Sequence, residues 1–216
     1  MTELAVVIAT CDKYSFLWEG WYHYFKKHWG LDLPIYFITE TIDCPFPDLR
    51  EIKVGPYEYK HWTGKINKGV SQIYAENIFL ILEDYYFNES IDNLFMALYA
   101  SFQALDADSL RILRKPSTAT AHPIKLSLHG SPVRKLERNS KYLISYVPNI
   151  WKRSTLLDIT LKAESAWDSE VKGTKRIRDR GYEMYDYMRP NWYTDASRRG
   201  KPTEDGLRLI KEMSYE

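Results

Sequence analysis

The stretch Asn77–Phe87, NIFLILEDYYF, limits what this chain can fold into: Ile78 to Leu82 are uniformly apolar, and two carboxylates follow at once. A short run with no polar face suits a strand covered on both sides, although a buried helix segment shares the pattern. Read as a central strand, it delivers Glu83 and Asp84 to its carboxyl end, the edge at which open α/β sheets hold ligands.

The opening of the chain supports that sheet. Leu4–Ala9 predicts a buried parallel strand, Ser15 a helix cap for a segment reaching Trp29, and Pro34–Thr39 a second strand. Parallel neighbours need such a crossover, so α/β is the expected class. Glu51–Val54 predicts a short strand, Gly55–Thr63 an aromatic polar loop, and Lys65–Ala75 a helix. A helix begins at Ser90, and Ser109–Leu113 returns as a strand. Residues 1–114 thus read as a nucleotide-binding half. Prolines and Gly130 break up Lys115–Asn139, after which Tyr142–Val147 predicts a strand and Lys152–Leu161 a helix. Glu164–Gly173 reads as a compact acidic and aromatic element, extended or helical, and Thr203 starts a closing helix that ends near Met213.

With 216 residues the chain has enough length for one domain spanning 1–216. Lys and Arg total 30 against 29 Asp and Glu, so no long-range field draws it to nucleic acid. Cys11 and Cys44 make no disulfide framework and lack zinc spacing, which suits a reducing compartment. The apolar part of MTELAVVIATCDK is too short to span a bilayer and has no basic segment before it. A cytoplasmic location is therefore expected, compatible with work at the inner face of a membrane.

Several residues carry possible chemistry. Glu83 and Asp84 suit a hard divalent ion, Mn or Mg, that bridges substrate phosphates, with Asp84 as its ligand; solvated residues at a strand terminus would look the same. The turn Thr10, Cys11, Asp12, Lys13, Tyr14, Ser15 precedes a helix whose free N–H groups would suit a diphosphate, with Lys13 as counter-charge. No Gly-rich dinucleotide or P-loop motif accompanies it. Lys65 and Lys68 lie a turn apart and are candidates for nucleotide contact, or a solvated helix face. Glu40, after the second strand, is a candidate for a base or ribose edge. In ESAWDSEVKG, Asp168 and Glu170 share a face if the segment is extended; a carboxylate beside Trp167 with a raised pKa could act as a general base. An exposed acidic loop would give the same sequence. The basic run Lys172–Arg180 is a solvated face or a site for nucleic acid, anionic lipid or the diphosphate of a substrate, and Trp192 and Tyr193 are stacking surfaces for an acceptor, a packed core or an oligomer contact. The five histidines match no metal spacing.

VVIATCDKY, LILEDYYF, SYVPNIWKRSTLL and ESAWDSEVKGT together resemble a family of bacterial GT-A-type glycosyltransferases tied to surface polysaccharide and lipopolysaccharide synthesis. The resemblance runs from Leu4 to Thr174 and is thin in Lys115–Lys141 and at the carboxyl end. It implies a GT-A-like, mostly parallel sheet flanked by helices, with 115–216 as an acceptor-side extension. It also implies a nucleotide-sugar donor over the carboxyl edge, a glycan or lipid-linked acceptor, and transfer with inversion. The Asp-x-Asp triplet of that family becomes Leu82, Glu83, Asp84, which leaves Asp84 for the metal. Its Trp-x-x-Glu falls on Trp167 and Glu170, making Glu170 the first candidate for base and Asp168 the second. A non-catalytic nucleotide- or glycan-binding module of the same fold is the alternative. A nucleotidyltransferase using the same carboxylates is a third reading.

Overall fold

The computed structural model describes residues 2–161, 163–198 and 200–214. Strand β1 (Thr2–Ala9) leads through a 3₁₀ turn (Asp12–Leu17) into helix α1 (Trp18–His28) and strand β2 (Ile35–Thr39). Strand β3 (Arg50–Lys53), helix α2 (Trp62–Ser71) and strand β4 (Ala75–Leu82) follow, and then a short strand β5 (Tyr85–Phe87). Helix α3 (Asp92–Ala104) leads to β6 (Ser109–Leu113), the hairpin β7 (Ala121–Leu128) and β8 (Ser131–Leu136), and then β9 (Asn149–Lys152). The chain continues through α4 (Arg153–Ile159), α5 (Ala166–Arg180), β10 (Met184–Met188), β11 (Tyr193–Asp195) and α6 (Glu204–Met213).

Nine strands form one sheet in the order β3-β2-β1-β4-β9-β6-β10-β8-β7. Strands β1 to β4 are mutually parallel, as are β6 and β10, while β9 and β8 run against their neighbours. This is the expected α/β class, a large and mostly parallel sheet with helices on both faces.

The uniform apolar runs of β1 and β4 have a direct cause. Leu4, Val6, Ile8, Phe79 and Ile81 pack on the face covered by α1, α3 and α6. Ala5, Val7, Ala9, Ile78 and Leu80 pack on the face covered by α2, α4 and α5. Side chains alternate across a strand, so a strand between two cores must be apolar at every position.

Three expectations are corrected, and one alternative the sequence leaves open is decided. Ser15 caps no helix; it lies inside the 3₁₀ turn, and α1 begins at Trp18. The proline-rich Lys115–Asn139 holds the β7–β8 hairpin at the sheet edge, where Pro123 and Pro132 cost no central ladder bond. Tyr142–Val147 forms no strand: the N–H groups of Leu143 and Tyr146 donate instead to Thr174 Oγ1 and Glu170 Oε1 of α5. Of the two forms open to Glu164–Gly173 the helical one holds: its greater part is the first half of α5, on which Asp168 and Glu170 diverge. That helix begins with a local cap, in which the Asp168 N–H donates to Ser165 Oγ at 3.0 Å and the Ser165 hydroxyl donates back to Asp168 Oδ2.

Candidate functional site

The carboxyl ends of β1, β2 and β4 open into a cavity of about 570 Å³. Cys11, Lys13 and Tyr14 line it from the first turn, Glu40 from the end of β2, Lys65 from α2, and Leu82, Glu83 and Asp84 from β4. Tyr57, Glu58, Tyr59 and Trp62 close one side, and Ala166 of α5 another.

The floor is tied by hydrogen bonds across the strand ends. Lys65, with a 2% exposed side chain, donates from Nζ to the Thr10 carbonyl at 2.6 Å and to Glu40 Oε1 at 3.0 Å. Glu40 Oε2 accepts from the Asp12 N–H at 3.1 Å, and the Thr10 hydroxyl donates to the Ile38 carbonyl. The Asp12 carboxylate accepts from the N–H groups of Thr41 and Ile42 and from the Thr41 hydroxyl. Burial pushes the Asp12 carboxyl up, but these donors outweigh it and hold it below the ordinary range. Thr10, Asp12, Glu40 and Lys65 therefore build the floor by bonding one another.

The first turn does not present a row of free N–H donors, contrary to expectation. The Asp12 N–H is taken by Glu40 and that of Tyr14 by the Cys11 carbonyl. The exposed Lys13 is the cation of this turn that faces the cavity. Lys68 points elsewhere and donates to the Val54 carbonyl at 2.7 Å. One turn separates the two lysines along α2, yet only Lys65 lines the cavity.

The acidic pair at the end of β4 is held in two different ways. Glu83 is buried, and burial together with the neighbouring Asp84 pushes its carboxyl up to about 8 against the opposing pull of Lys65. Burial pushes Asp84 up to about 6, partly offset by the Ser197 hydroxyl, which donates to Oδ2 at 3.0 Å. Asp84 Oδ1 is buried and has no hydrogen-bond partner among the described residues. A buried polar atom without a partner is uncommon in a folded protein and invites a functional explanation. Ser197 lies beyond β11, which pairs with β5 immediately after Asp84, and the Ala196 N–H donates to the Asp84 carbonyl at 2.7 Å. No local signal around Asp84 could have pointed to a partner so distant in sequence.

Glu170 lines a second cavity of about 260 Å³ together with Arg111, Arg114, Lys115, Tyr142, Ser145 and Tyr193. Ala166 and Glu170 are four positions apart on α5, about 6 Å along the axis and on the same side, so this helix borders both cavities. Burial raises the Glu170 carboxyl above its ordinary range, only partly offset by the Tyr146 N–H, Ser145 and the Arg111 guanidinium. Asp168 lies on another side of α5 with its side chain 47% exposed, paired to Lys172 at 3.2 Å. Hydrogen bonds from Ser165 and Lys172 hold it below the ordinary carboxylate range, the reverse of what a base needs. Trp167 is 61% exposed and lines neither cavity; it stands against Tyr142.

Two further candidates are corrected. Much of the basic run is spent internally: Arg176 pairs with Glu164, Arg180 with Asp158, and Arg178 donates to the Arg138 and Ser140 carbonyls. Trp192 is fully buried and packs on Phe87 and Tyr193, so it is core and not a stacking surface. Tyr193 is also buried, though its edge borders the second cavity. Among the described residues no helix is long and apolar enough to cross a membrane. No cluster of three metal-binding side chains occurs there either.

No family model matches the sequence, and no curated protein is similar to it. Solved structures are similar in fold. TarS 1-349 of S. aureus, in complex with UDP-GlcNAc, aligns with a TM-score of 0.57 at 11% identity, over 99% of this chain and 66% of that one. The same protein in complex with UDP is covered over 59% of its length, so this chain spans about three fifths to two thirds of TarS 1-349. UDP-glucose pyrophosphorylase complexed with UDP-glucose aligns with a TM-score of 0.61 at 11% identity, over 100% of this chain and 99% of that one. UTP-bound UGPase from Acinetobacter baumannii gives 0.62 at 9% identity, over 99% and 93%. The fold is thus one that enzymes acting on nucleotide sugars share.

Proposed function

We propose that this protein is a nucleotide-sugar enzyme, and specifically a glycosyltransferase that moves a sugar from a nucleoside-diphosphate sugar to a hydroxyl of a glycan or lipid-linked acceptor. One observation carries the reading. A half-buried carboxylate, Asp84, with one buried oxygen that no described residue partners, lies in the cavity at the carboxyl edge, and a second half-buried carboxylate, Glu170, lies in the neighbouring cavity one helical turn from the first. The larger cavity takes the donor, with Tyr57 and Tyr59 offering faces for the base and Lys13 a charge for the diphosphate. The smaller one takes the acceptor.

In the transfer, Glu170 accepts the proton of the acceptor hydroxyl while its oxygen bonds to the anomeric carbon. The bond from that carbon to the diphosphate breaks, and its electron pair leaves with the nucleoside diphosphate. Attack from one face by one base gives inversion. A raised carboxyl is the better proton acceptor for a weakly acidic hydroxyl, which is what the burial of Glu170 supplies. The positive charge of Lys13 favours the departing diphosphate.

A divalent cation fits here in a limited way. The free Asp84 Oδ1 suits a single carboxylate ligand, and the lack of a three-residue cluster among the described residues leaves the remaining positions to substrate phosphates and water, a pattern common for Mg. When bound, such an ion neutralises phosphate charge.

Nucleotidyl transfer is the second reading, favoured by the near full-length overlap with UDP-glucose pyrophosphorylase, against two thirds of TarS 1-349. Products separate the two: sugar transfer releases a nucleoside diphosphate, whereas nucleotidyl transfer from a nucleoside triphosphate releases pyrophosphate. The deciding experiment is a thermal-shift panel of nucleoside diphosphates and nucleotide sugars with and without Mn, on wild type and Asp84→Ala, followed by product analysis with the stabilising donor. Nucleotide-selective stabilisation that Asp84→Ala abolishes, together with release of nucleoside diphosphate, is the expected result. Folded protein that no nucleotide stabilises would leave a non-catalytic module in its place.

A further inference from the structure

The cavity beside Glu170 holds more positive charge than catalysis by a carboxylate requires. Arg111 is 1% exposed; it donates from Nη1 to the Tyr142 carbonyl at 3.1 Å and from Nη2 to Asp186 Oδ2 at 3.3 Å. Asp186, fully buried, is shared, because Arg134 also donates to both of its oxygens, at 2.7 and 3.0 Å. Arg114 pairs with Asp195 and lies over the Tyr193 ring. Lys115 is exposed and makes no ion pair among the described residues. Around the cavity, therefore, Arg111, Arg114, Arg134 and Lys115 face Asp186, Asp195 and Glu170, leaving a surplus of one cation.

The decisive detail is a pair of unused donors. The Nε–H groups of Arg111 and Arg114 are both buried, and neither has an acceptor among the described residues. Both side chains line the same cavity. A buried guanidinium N–H left without a partner costs stability comparable to a lost charged hydrogen bond, and the two residues that carry these groups line one cavity. An oxyanion entering the cavity would satisfy them and neutralise the surplus charge. Lys115 at the rim would add long-range attraction, and the Thr118 side chain is close enough in the lining to contribute a hydroxyl.

We propose that this cavity binds the acidic group, phosphate or carboxylate, of an anionic sugar acceptor through Arg111, Arg114 and Lys115, thereby presenting the acceptor hydroxyl to Glu170. This rests on the transferase reading above and names its acceptor class. Acidic acceptors are then selected over neutral ones, because a neutral sugar leaves both arginine donors unpaired.

The test reads the donors directly. Arginine Nε–Hε resonances are followed by ¹⁵N NMR while glucose 6-phosphate, glucuronate or glucose is added to wild type, Arg114→Gln and Lys115→Ala. The expected result is a saturable shift of the Arg111 and Arg114 signals with one or both acids and none with glucose. Affinity should fall at least about tenfold in Arg114→Gln and by a smaller, salt-dependent factor in Lys115→Ala. The better of the two acids identifies the group as phosphate or carboxylate. Since Lys115 is exposed, that variant keeps the test informative if Arg114→Gln folds poorly. The proposal is overturned if neither acid moves the signals while a nucleoside diphosphate still stabilises the protein, an outcome that leaves the donor reading intact. It is equally overturned if the nucleoside diphosphate alone moves both signals, since the cavity would then serve the donor. Acid binding to a protein that no nucleotide stabilises would remove the transferase reading and, with it, the acceptor assignment.

Discussion

Lys65 Nζ sits 3.0 Å from Glu40 Oε1 and joins the ends of β1 and β2 from beneath, its second bond going to the Thr10 carbonyl. Removing one partner of a buried pair strands the other without water, which typically costs about 3–5 kcal/mol. Lys65→Met should therefore lower unfolding stability by about that much, and adding Glu40→Gln should restore part of the loss. Urea denaturation of the two variants checks it. Equal destabilisation in both would mean that Glu40 is not the group left stranded.

Glu170 and Asp168 separate cleanly. Glu170→Gln should lower sugar transfer by about 10²–10⁴-fold, the usual worth of a positioned general base, while leaving nucleotide stabilisation in place. Asp168→Asn should transfer at near the wild-type rate, because its side chain serves the start of α5. Since burial raises the Glu170 carboxyl from 4.5, the base is lost as pH falls through that raised value, and the acid limb of the rate profile should have its midpoint above 4.5. A profile that is unchanged in Glu170→Gln would remove Glu170 from the chemistry.

Cys11 lines the larger cavity and should be a poor nucleophile. Burial, then the nearby Glu83, pushes its thiol up to about 12. A raised thiol stays protonated until pH approaches that value, so at pH 8 the reactive thiolate is scarce. Iodoacetamide at pH 8 should leave Cys11 intact in the native protein and modify it readily in urea, as mass spectrometry of the peptide would show. Fast native alkylation would contradict the burial seen at the cavity floor.

Gly206 fixes how α6 docks. A Cβ placed there would lie 2.8 Å from the Ala196 Cα, against main chain that cannot swing aside. Gly206→Ala should cost about 1–3 kcal/mol or more through overpacking. Because the Ala196 N–H donates to the Asp84 carbonyl, the same change should weaken nucleotide stabilisation. A destabilised variant with undiminished nucleotide response would uncouple α6 from the site.

What the sequence revealed follows from how each segment is buried. β1, β2 and β4 were readable because two cores claim every side chain, and the same logic carried Glu83 and Asp84 to the cavity. The β7–β8 hairpin was not, since its edge position allows polar residues and prolines that mask the strand pattern. Tyr142–Val147 has a strand's composition, yet side chains of α5 satisfy its backbone in place of a ladder. Lys65 and Lys68 look equivalent in sequence; only packing decides which is turned inward. Arg111, buried on β6, and Arg114, half-buried just after it, gave no signal at all, because their role is recognised only from the groups packed around them.

The bond between Ser197 and Asp84 spans 113 positions. During synthesis the ribosome must add more than a hundred residues after Asp84 before that hydroxyl exists, and β5 waits equally long for β11. A growing chain can lay down β1 to β4 early, but the pocket around Asp84 stays open to solvent until the later strands arrive. Any fragment that ends before Tyr193 therefore lacks both the Ser197 bond to Asp84 and the β5–β11 pairing beside it.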